Sequence, residues 1–211
     1  MPSSEEATLG LFPLGLVLLP GEHLPLHIFE ERYKRLIGEC RETGGPFGIV
    51  LYHEHSVAEH GCTAEVIEVL QEFQDGRLDI VVEGRDRFRL LELIAADEND
   101  EGAYLGARVE YYDDLASEAP ERLVADAERL ARRLLALTGE EPPGQPLHPV
   151  PPSFGIAGGI DLSVSLKQRL LEQRSEAERL ELLVSVMSSL APRLELRKER
   201  EEAIGGNGKG Y

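Results

Sequence analysis

Basic residues are scarce in this chain of 211 residues: 22 Lys and Arg stand against 39 Asp and Glu, a formal charge of −17 at pH 7. Nucleic-acid binding rests on Lys and Arg neutralising phosphates, so this balance argues against nucleic acid and disfavours an anionic membrane. It says little more, since acidity mainly keeps a protein soluble. Cysteine is scarcer still. Cys40 and Cys62 are the only two, one in an expected helix and one at an expected strand start, without metal-type spacing. They read as buried thiols rather than a disulfide, which fits a reducing cytoplasm. Long apolar runs are lacking too: the run over 9–19 is broken by Pro13 and is too short to span a bilayer. Residues 1–8 carry Glu5 and Glu6 without a basic segment, so no secretory signal is expected. There is no internal repeat. The expectation is a cytoplasmic protein without membrane or nucleic-acid partners.

What is present suffices for a globular core. Hydrophobic residues make up 42% and charged residues 29%, an ordinary soluble composition, and the length allows one large domain or two small lobes. The stretch 11–33 organises the rest. Its apolar opening is punctuated by Pro13 and Pro20, which confine it to short strand pieces. Pro20-Gly21 marks a turn. Leu24, Leu26 and Ile28 then alternate with Pro25 and His27, as in a half-buried strand. Glu30 and Glu31 follow Phe29 and suit the first turn of a helix, where carboxylates meet the positive end of the dipole.

Further along, residues 1–8 read as a polar leader and 30–41 as a helix with Tyr33, Leu36, Ile37 and Cys40 at helical spacing. Residues 47–52 read as a buried strand and 53–61 as a polar loop. The alternation over 63–73 slips at Ile67, which suggests a bulge. Asp75-Gly76 between alternating segments is a strong hairpin signal. Gly84 allows a bend before a further strand, and 104–112 reads as the last strand. Composition then turns helical. Leu123, Ala127, Leu130, Leu134 and Leu137 form one stripe over 116–138, with Ser117 able to cap and Gly139 ending the helix. Residues 140–159 form a long Pro/Gly-rich loop, with a short helical turn expected near Phe154. Residues 163–173 return to helix. Ser175 to Glu178 is a capping box for a helix reaching about 190, which Pro192 interrupts, and 194–204 reads as a charged helical extension. The Gly-rich end resembles a disordered tail, 202–211.

Two blocks carry a family resemblance. L-F-P-L, V-L-L-P-G and P-L-H-I-F-E-E-R-Y, all within 11–33, resemble the opening of the Lon protease N-terminal (substrate-binding) domain. D-G-R at 75–77, V-V-E-G at 81–84 and R-F-R at 87–89 resemble a second block of that family. The similarity runs from about 9 to about 197 and is closest to small stand-alone bacterial proteins of the family; cereblon carries a related domain. The resemblance implies a two-part architecture and polypeptide binding by the β-rich part.

The resulting fold class is α+β: an N-terminal antiparallel β-rich, partly closed barrel-like lobe with one helix (9–115), then a C-terminal helical bundle lobe (116–201). Function reads as non-catalytic binding of unfolded or tagged polypeptides or of a specific protein partner, without cofactor or metal. Leu24, Leu26, Phe29 and Phe88 are the candidate contacts, because a surface for unfolded chains is apolar and exposed.

Other groupings have plain readings beside functional ones. His53, His55 and His60 could bind zinc but fit a solvated loop. Ser163 and Lys167 are four apart, like a Ser–Lys dyad, yet read as a cap and an exposed helical residue. Gly208-Lys209-Gly210 lacks the frame of a phosphate loop. Arg85, Arg87 and Arg89 share one strand face, paired with neighbouring acids or forming a basic spot for an acidic segment. The alternatives to polypeptide binding are an ATP-independent hydrolase and a small-ligand protein with a pocket between the lobes.

Overall fold

The computed structural model describes residues 6–97, 99–116, 118–139 and 146–206, leaving aside the side chains of 201–206. It is a mixed α+β structure. Six strands, β1 (Glu6–Leu14), β2 (His23–Ile28), β3 (Phe47–His53), β4 (Ser56–Glu72), β5 (Leu78–Ile94) and β6 (Gly106–Tyr111), form one sheet with α1 (Glu31–Thr43) inserted after β2. Four helices follow: α2 (Glu121–Thr138), α3 (Pro152–Gly158), α4 (Val164–Glu172) and α5 (Glu176–Gly206).

The strand order is β2-β5-β4-β3-β1-β6, and β6 pairs again with β5. The ladder therefore returns on itself through β5, β4, β3, β1 and β6, leaving β2 outside as an edge strand. β1 runs parallel to β3, with Leu11 opposite Gly48, because β2 and α1 supply the crossover. The other pairings are antiparallel.

Alternation sends neighbouring residues into different cores. Leu11 faces a small cluster inside the ring with Leu9, Val50, Phe88, Ala107 and Val109. Phe12 faces the main core outside it, stacked on Tyr33 of α1 with ring centroids 3.9 Å apart. Tyr33, Leu36 and Ile37 are the buried side of α1, and Gly44 in the left-handed region closes the helix as its amide donates to the Cys40 carbonyl. The main cluster continues without a break into Ala127, Ala131 and Leu134 of α2 and Leu180, Leu183, Met187 and Ala191 of α5. Sheet and helices thus share one core.

Several local expectations need correction. The segment read as a leader is already strand from Glu6, held by β6 through Thr8 opposite Arg108. The polar loop after His53 is a two-residue turn. Glu54 and His55 take φ of 50° and 67°, and β4 begins at once with Ser56 opposite His53. The slipped alternation does correspond to bulges: β4 carries an extra residue at the register shifts 66/68 and 69/71, while the shift at 62/64 has its extra residue in β5. The hairpin turn falls at Asp75-Gly76, with Gly76 at φ 80°. α2 begins at Glu121 after an N-cap Pro120, and Ser117 lies outside the described residues. α5 passes through Pro192 to Gly206. The exposed proline removes one donor, while Leu194 packs on the core and Arg133 of α2 holds Glu195 at 2.6 Å. Of the tail expected over 202–211, residues 202–206 are instead the last of α5, and 207–211 lie outside the described residues.

Gly84 stands at an irregularity of β5, where the register passes from Ala64 opposite Gly84 to Cys62 opposite Arg87 and so leaves one extra β5 residue just after it. It sits within the continuous β5 because the segment before β2 presses directly on it. The Gly21 amide donates to its carbonyl at 2.8 Å, and its own amide donates to the Glu22 carbonyl at 3.0 Å. A Cβ at position 84 would lie 2.1 Å from the Leu19 carbonyl oxygen. At Gly38, in the middle of α1, a Cβ meets nothing within 4 Å. Gly84→Ala should therefore destabilise the protein by ~3 kcal/mol or more, as backbone clashes in a core do. Gly38→Ala should stabilise it by up to ~1 kcal/mol through helix propensity and unfolded-state entropy. Urea denaturation of both variants checks the opposite signs.

Candidate functional site

The three alternating arginines of β5 are all paired. Arg89 lies 2.7 Å from Glu110 of β6. Arg85 bridges Glu65 at 2.8 Å and the fully buried Glu83 at 3.0 Å. Glu83 also accepts the Leu147 amide at 3.1 Å, which pins the segment before α3 to the sheet.

Arg87 is buried and donates to the carbonyls of Leu171 (3.1 Å) and Gln173 (2.8 Å) at the end of α4, and it pairs with Asp114. Arg179 of α5, with no exposed side-chain surface, joins the same group. It pairs with Asp114, lies 2.6 Å from Glu176, and donates to the Ser153 hydroxyl (2.8 Å) and the Gln173 carbonyl (2.7 Å). Both guanidiniums lie over the Phe154 ring, at 5.3 Å and 4.4 Å. This network joins β5, the segment after β6, α3, α4 and α5. Burial pushes the Arg87 pKa down. Burial also pushes the Asp114 carboxyl up, but its bonds to Arg179 and the nearby charge of Arg87 outweigh this and hold it below its ordinary value.

Beside the network an open groove of about 750 Å³ separates the sheet from the segment 149–154, with Pro20, Asp86, Tyr112, Asp113, Pro149 and Phe154 among its lining. A small-molecule site is mostly enclosed and apolar with a few polar groups. This groove mixes prolines and aromatics with charges and opens to solvent.

The four candidate contacts separate. Phe29 is 59% exposed, beside His27 (centroids 5.9 Å apart), which in turn meets Phe73 of the β4–β5 turn edge-on at 6.1 Å. Leu24 and Leu26 are half-buried and pack against the main core from β2. Phe88 is fully buried within the ring of strands, where a Cβ on Gly61 would come within 2.4 Å of its ring. It fills the space that Gly48 and Gly61 leave open and cannot touch a client. Tyr33 is core, as aromatics at strand–helix junctions usually are.

The remaining groupings take structural roles. Ser163 caps α4, accepting from the Leu166 amide at 3.3 Å. Lys167 is not exposed: it reaches Glu22 and joins α4 to the segment before β2. His55 occupies the β3–β4 turn, whereas His60 is in β4 with its ring edge-on to Tyr112 at 5.5 Å. Among the described residues no three His, Cys, Asp or Glu side chains could together hold a metal ion. Cys40 and Cys62 are free, and burial pushes the Cys40 thiol up to about 11 and that of Cys62 higher still. Among the described residues no helix is long and apolar enough to cross a membrane.

Sequence reasoning missed Asp114, Glu176 and Arg179. A signal existed: Glu176 and Arg179 fall on the same helical stripe as Leu180, Leu183 and Met187, and charges on a buried stripe need partners.

The Asp114 pKa has a sign consequence. A carboxyl depressed in the folded state contributes stability above its unfolded value of ~3.9 and loses it as pH falls through the folded value. Asp114→Asn should cost ~3–5 kcal/mol at pH 7, because it leaves two buried guanidiniums short of their anion. The gap to the native chain should narrow as pH falls below about 4. Urea denaturation of both proteins at pH 7, 4 and 3 checks this.

Comparison with known proteins agrees with this architecture. A family profile described as the ATP-dependent protease La (LON) substrate-binding domain matches residues 8–189. Lon protease of Anaeromyxobacter dehalogenans is 26% identical over 95% of this chain and 25% of its own length. Lon protease of Porphyromonas gingivalis is 28% identical over 74% of this chain and 20% of its own. The chain thus spans about a quarter of the curated relatives it matches. The crystal structure of a Lon N-terminal domain protein from Xanthomonas campestris superposes with a TM-score of 0.66 at 27% identity, covering 85% of this chain and 98% of that one. The N-terminal domain of a Mycobacterium avium complex Lon protease shares the fold, with a TM-score of 0.59 at 21% identity over 86% of this chain and 98% of that one. The chain belongs to the family of the ATP-dependent protease La (LON) substrate-binding domain.

Proposed function

We propose that this protein is a non-catalytic module that binds unfolded or tagged polypeptides. Its β-rich part, 9–115, carries the contact, and its helical part, 116–201, supports and orients it. The observation that carries this reading is the aromatic cluster of exposed Phe29 and His27 with half-buried Phe73 at the edge of the sheet, in a chain whose family takes its name from substrate binding. Unfolded clients offer apolar side chains and backbone rather than one fixed shape, so an open, partly apolar surface suits them. Phe29 is the anchor. Leu24 and Leu26 back it from the core side and contribute to shape more than to contact. The open, charged character of the groove beside Phe154 favours a polypeptide over an enclosed small ligand. Ser163 and Lys167 are engaged in a cap and in an ion pair with Glu22, which removes support for a Ser–Lys dyad.

The test pairs binding of a fluorescent, permanently unfolded model protein with denaturation. Phe29→Ser should weaken binding severalfold while changing stability by no more than ~0.5 kcal/mol, as exposed sites do. Phe88→Ala should cost ~3–5 kcal/mol, as removal of a core aromatic does. If Phe29→Ser leaves binding intact in a folded protein, the contact surface is not this edge.

A further inference from the structure

The groove between the sheet and the segment 149–154 is lined by three aspartates and two arginines. Arg85 and Arg87 both line it, but neither offers a free positive charge. Arg85 is held by Glu65 and Glu83, and Arg87 by Asp114 and two carbonyls. Asp86 and Asp113 line the same groove and are exposed. Their backbones are engaged, by Thr63 and by Arg174. Among the described residues, though, neither carboxylate makes an ion pair. Asp86 and Asp113 are thus the lining charges without an ion pair, the exposed Arg174 stands beside them with its guanidinium on the Asp113 carbonyl at 2.8 Å, and the walls include Pro20, Pro149 and Val150.

We infer that this groove is a second docking surface, accepting an extended polypeptide segment that carries Lys or Arg, with the cation at Asp86 and Asp113 and its aliphatic stem along the proline wall. This rests on the polypeptide-binding reading and adds a substrate preference to it. Long basic side chains lay methylene stems on apolar surface while the charged head seeks an anion, which matches a carboxylate pair beside prolines. Burial, reinforced by Glu65 and Asp113, pushes the Asp86 carboxyl up, a cost that a docked cation relieves. An open groove also leaves the client's chain free to continue at both ends, as a segment of a longer polypeptide requires.

The test uses the full chain and two fluorescein-labelled nonapeptides, one alternating Leu with Lys and one alternating Leu with Glu, measured by anisotropy at 0.15 M salt. The Lys peptide should bind at least tenfold more tightly than the Glu peptide. Asp86→Asn with Asp113→Asn should weaken it at least tenfold. Glu42→Gln with Glu121→Gln, exposed acids on α1 and α2 that change the net charge equally, should leave it within twofold. Circular dichroism and urea denaturation should show both double variants folded. Equal weakening by the two double variants would assign the preference to diffuse charge and overturn the inference. So would equal binding of the two peptides, or displacement of the Lys peptide by an equimolar small polyamine. Loss of unfolded-protein binding in Phe29→Ser with no effect of the groove variants would sink the groove alone and leave polypeptide binding standing.

Discussion

The ion network around Arg179 is the constraint on which the arrangement of this molecule depends. Asp114, immediately after the last strand, is held between Arg87 from the sheet and Arg179 from α5. Replacing such a group by well-packed apolar residues is often neutral, while removing one member alone is strongly destabilising. The network therefore acts less as a source of stability than as a fixed geometry. Arg87 reads the carbonyl ends of α4, Arg179 reads Ser153 and Gln173, and Phe154 fills the space under both guanidiniums. Shifting the helices against the sheet would leave several of these buried groups without partners.

The sheet makes a matching demand at its other end. Closing the ladder through β6 and β5 leaves room for few large side chains inside, and Phe88 takes most of it, with Gly48 and Gly61 beside its ring. Gly84 has the corresponding role outside, where the segment before β2 crosses β5 at backbone distance. These close approaches fix β2 as the outer edge strand. Pro25 denies that edge one donor, which discourages open-ended strand pairing. Phe29, just beyond β2, is then turned outward while Ile28 is buried. The exposed aromatic follows directly from how the edge strand is held.

The groove follows from the same construction. Glu83 accepts the Leu147 amide and Arg85 closes over it, so the segment 146–151 before α3 stands beside the sheet. The gap is walled by prolines that cannot fill it with their own side-chain donors. Its arginines are committed to structure, while the carboxylates of Asp86 and Asp113 make no ion pair among the described residues.

The sequence by itself determined a good deal. Alternation and the Asp-Gly turn specified the β4–β5 hairpin. The slip near Ile67 announced the bulges. The helical stripe of Leu123, Ala127, Leu130 and Leu134 and the Ser163 cap were legible because helix period and capping are local. The two blocks at 11–33 and 75–89 carried the family, and the separate sheet-rich and helix-rich stretches carried the α+β class. What lay beyond reading was non-local. Whether Phe88 or Phe29 faces water depends on which strand closes the ring, and both are aromatic residues beside charged ones in the chain. Gly84 reads as a bend, but that another segment lies against it at backbone distance is not legible from its neighbours. Lys167 reads as solvated until Glu22, 145 positions earlier, is brought to meet it. Arg87, Asp114 and Arg179 become one group only when β5, the end of β6 and α5 converge. Local sequence sets backbone period and turn chemistry, but burial and charge pairing belong to surfaces that form only when distant segments meet.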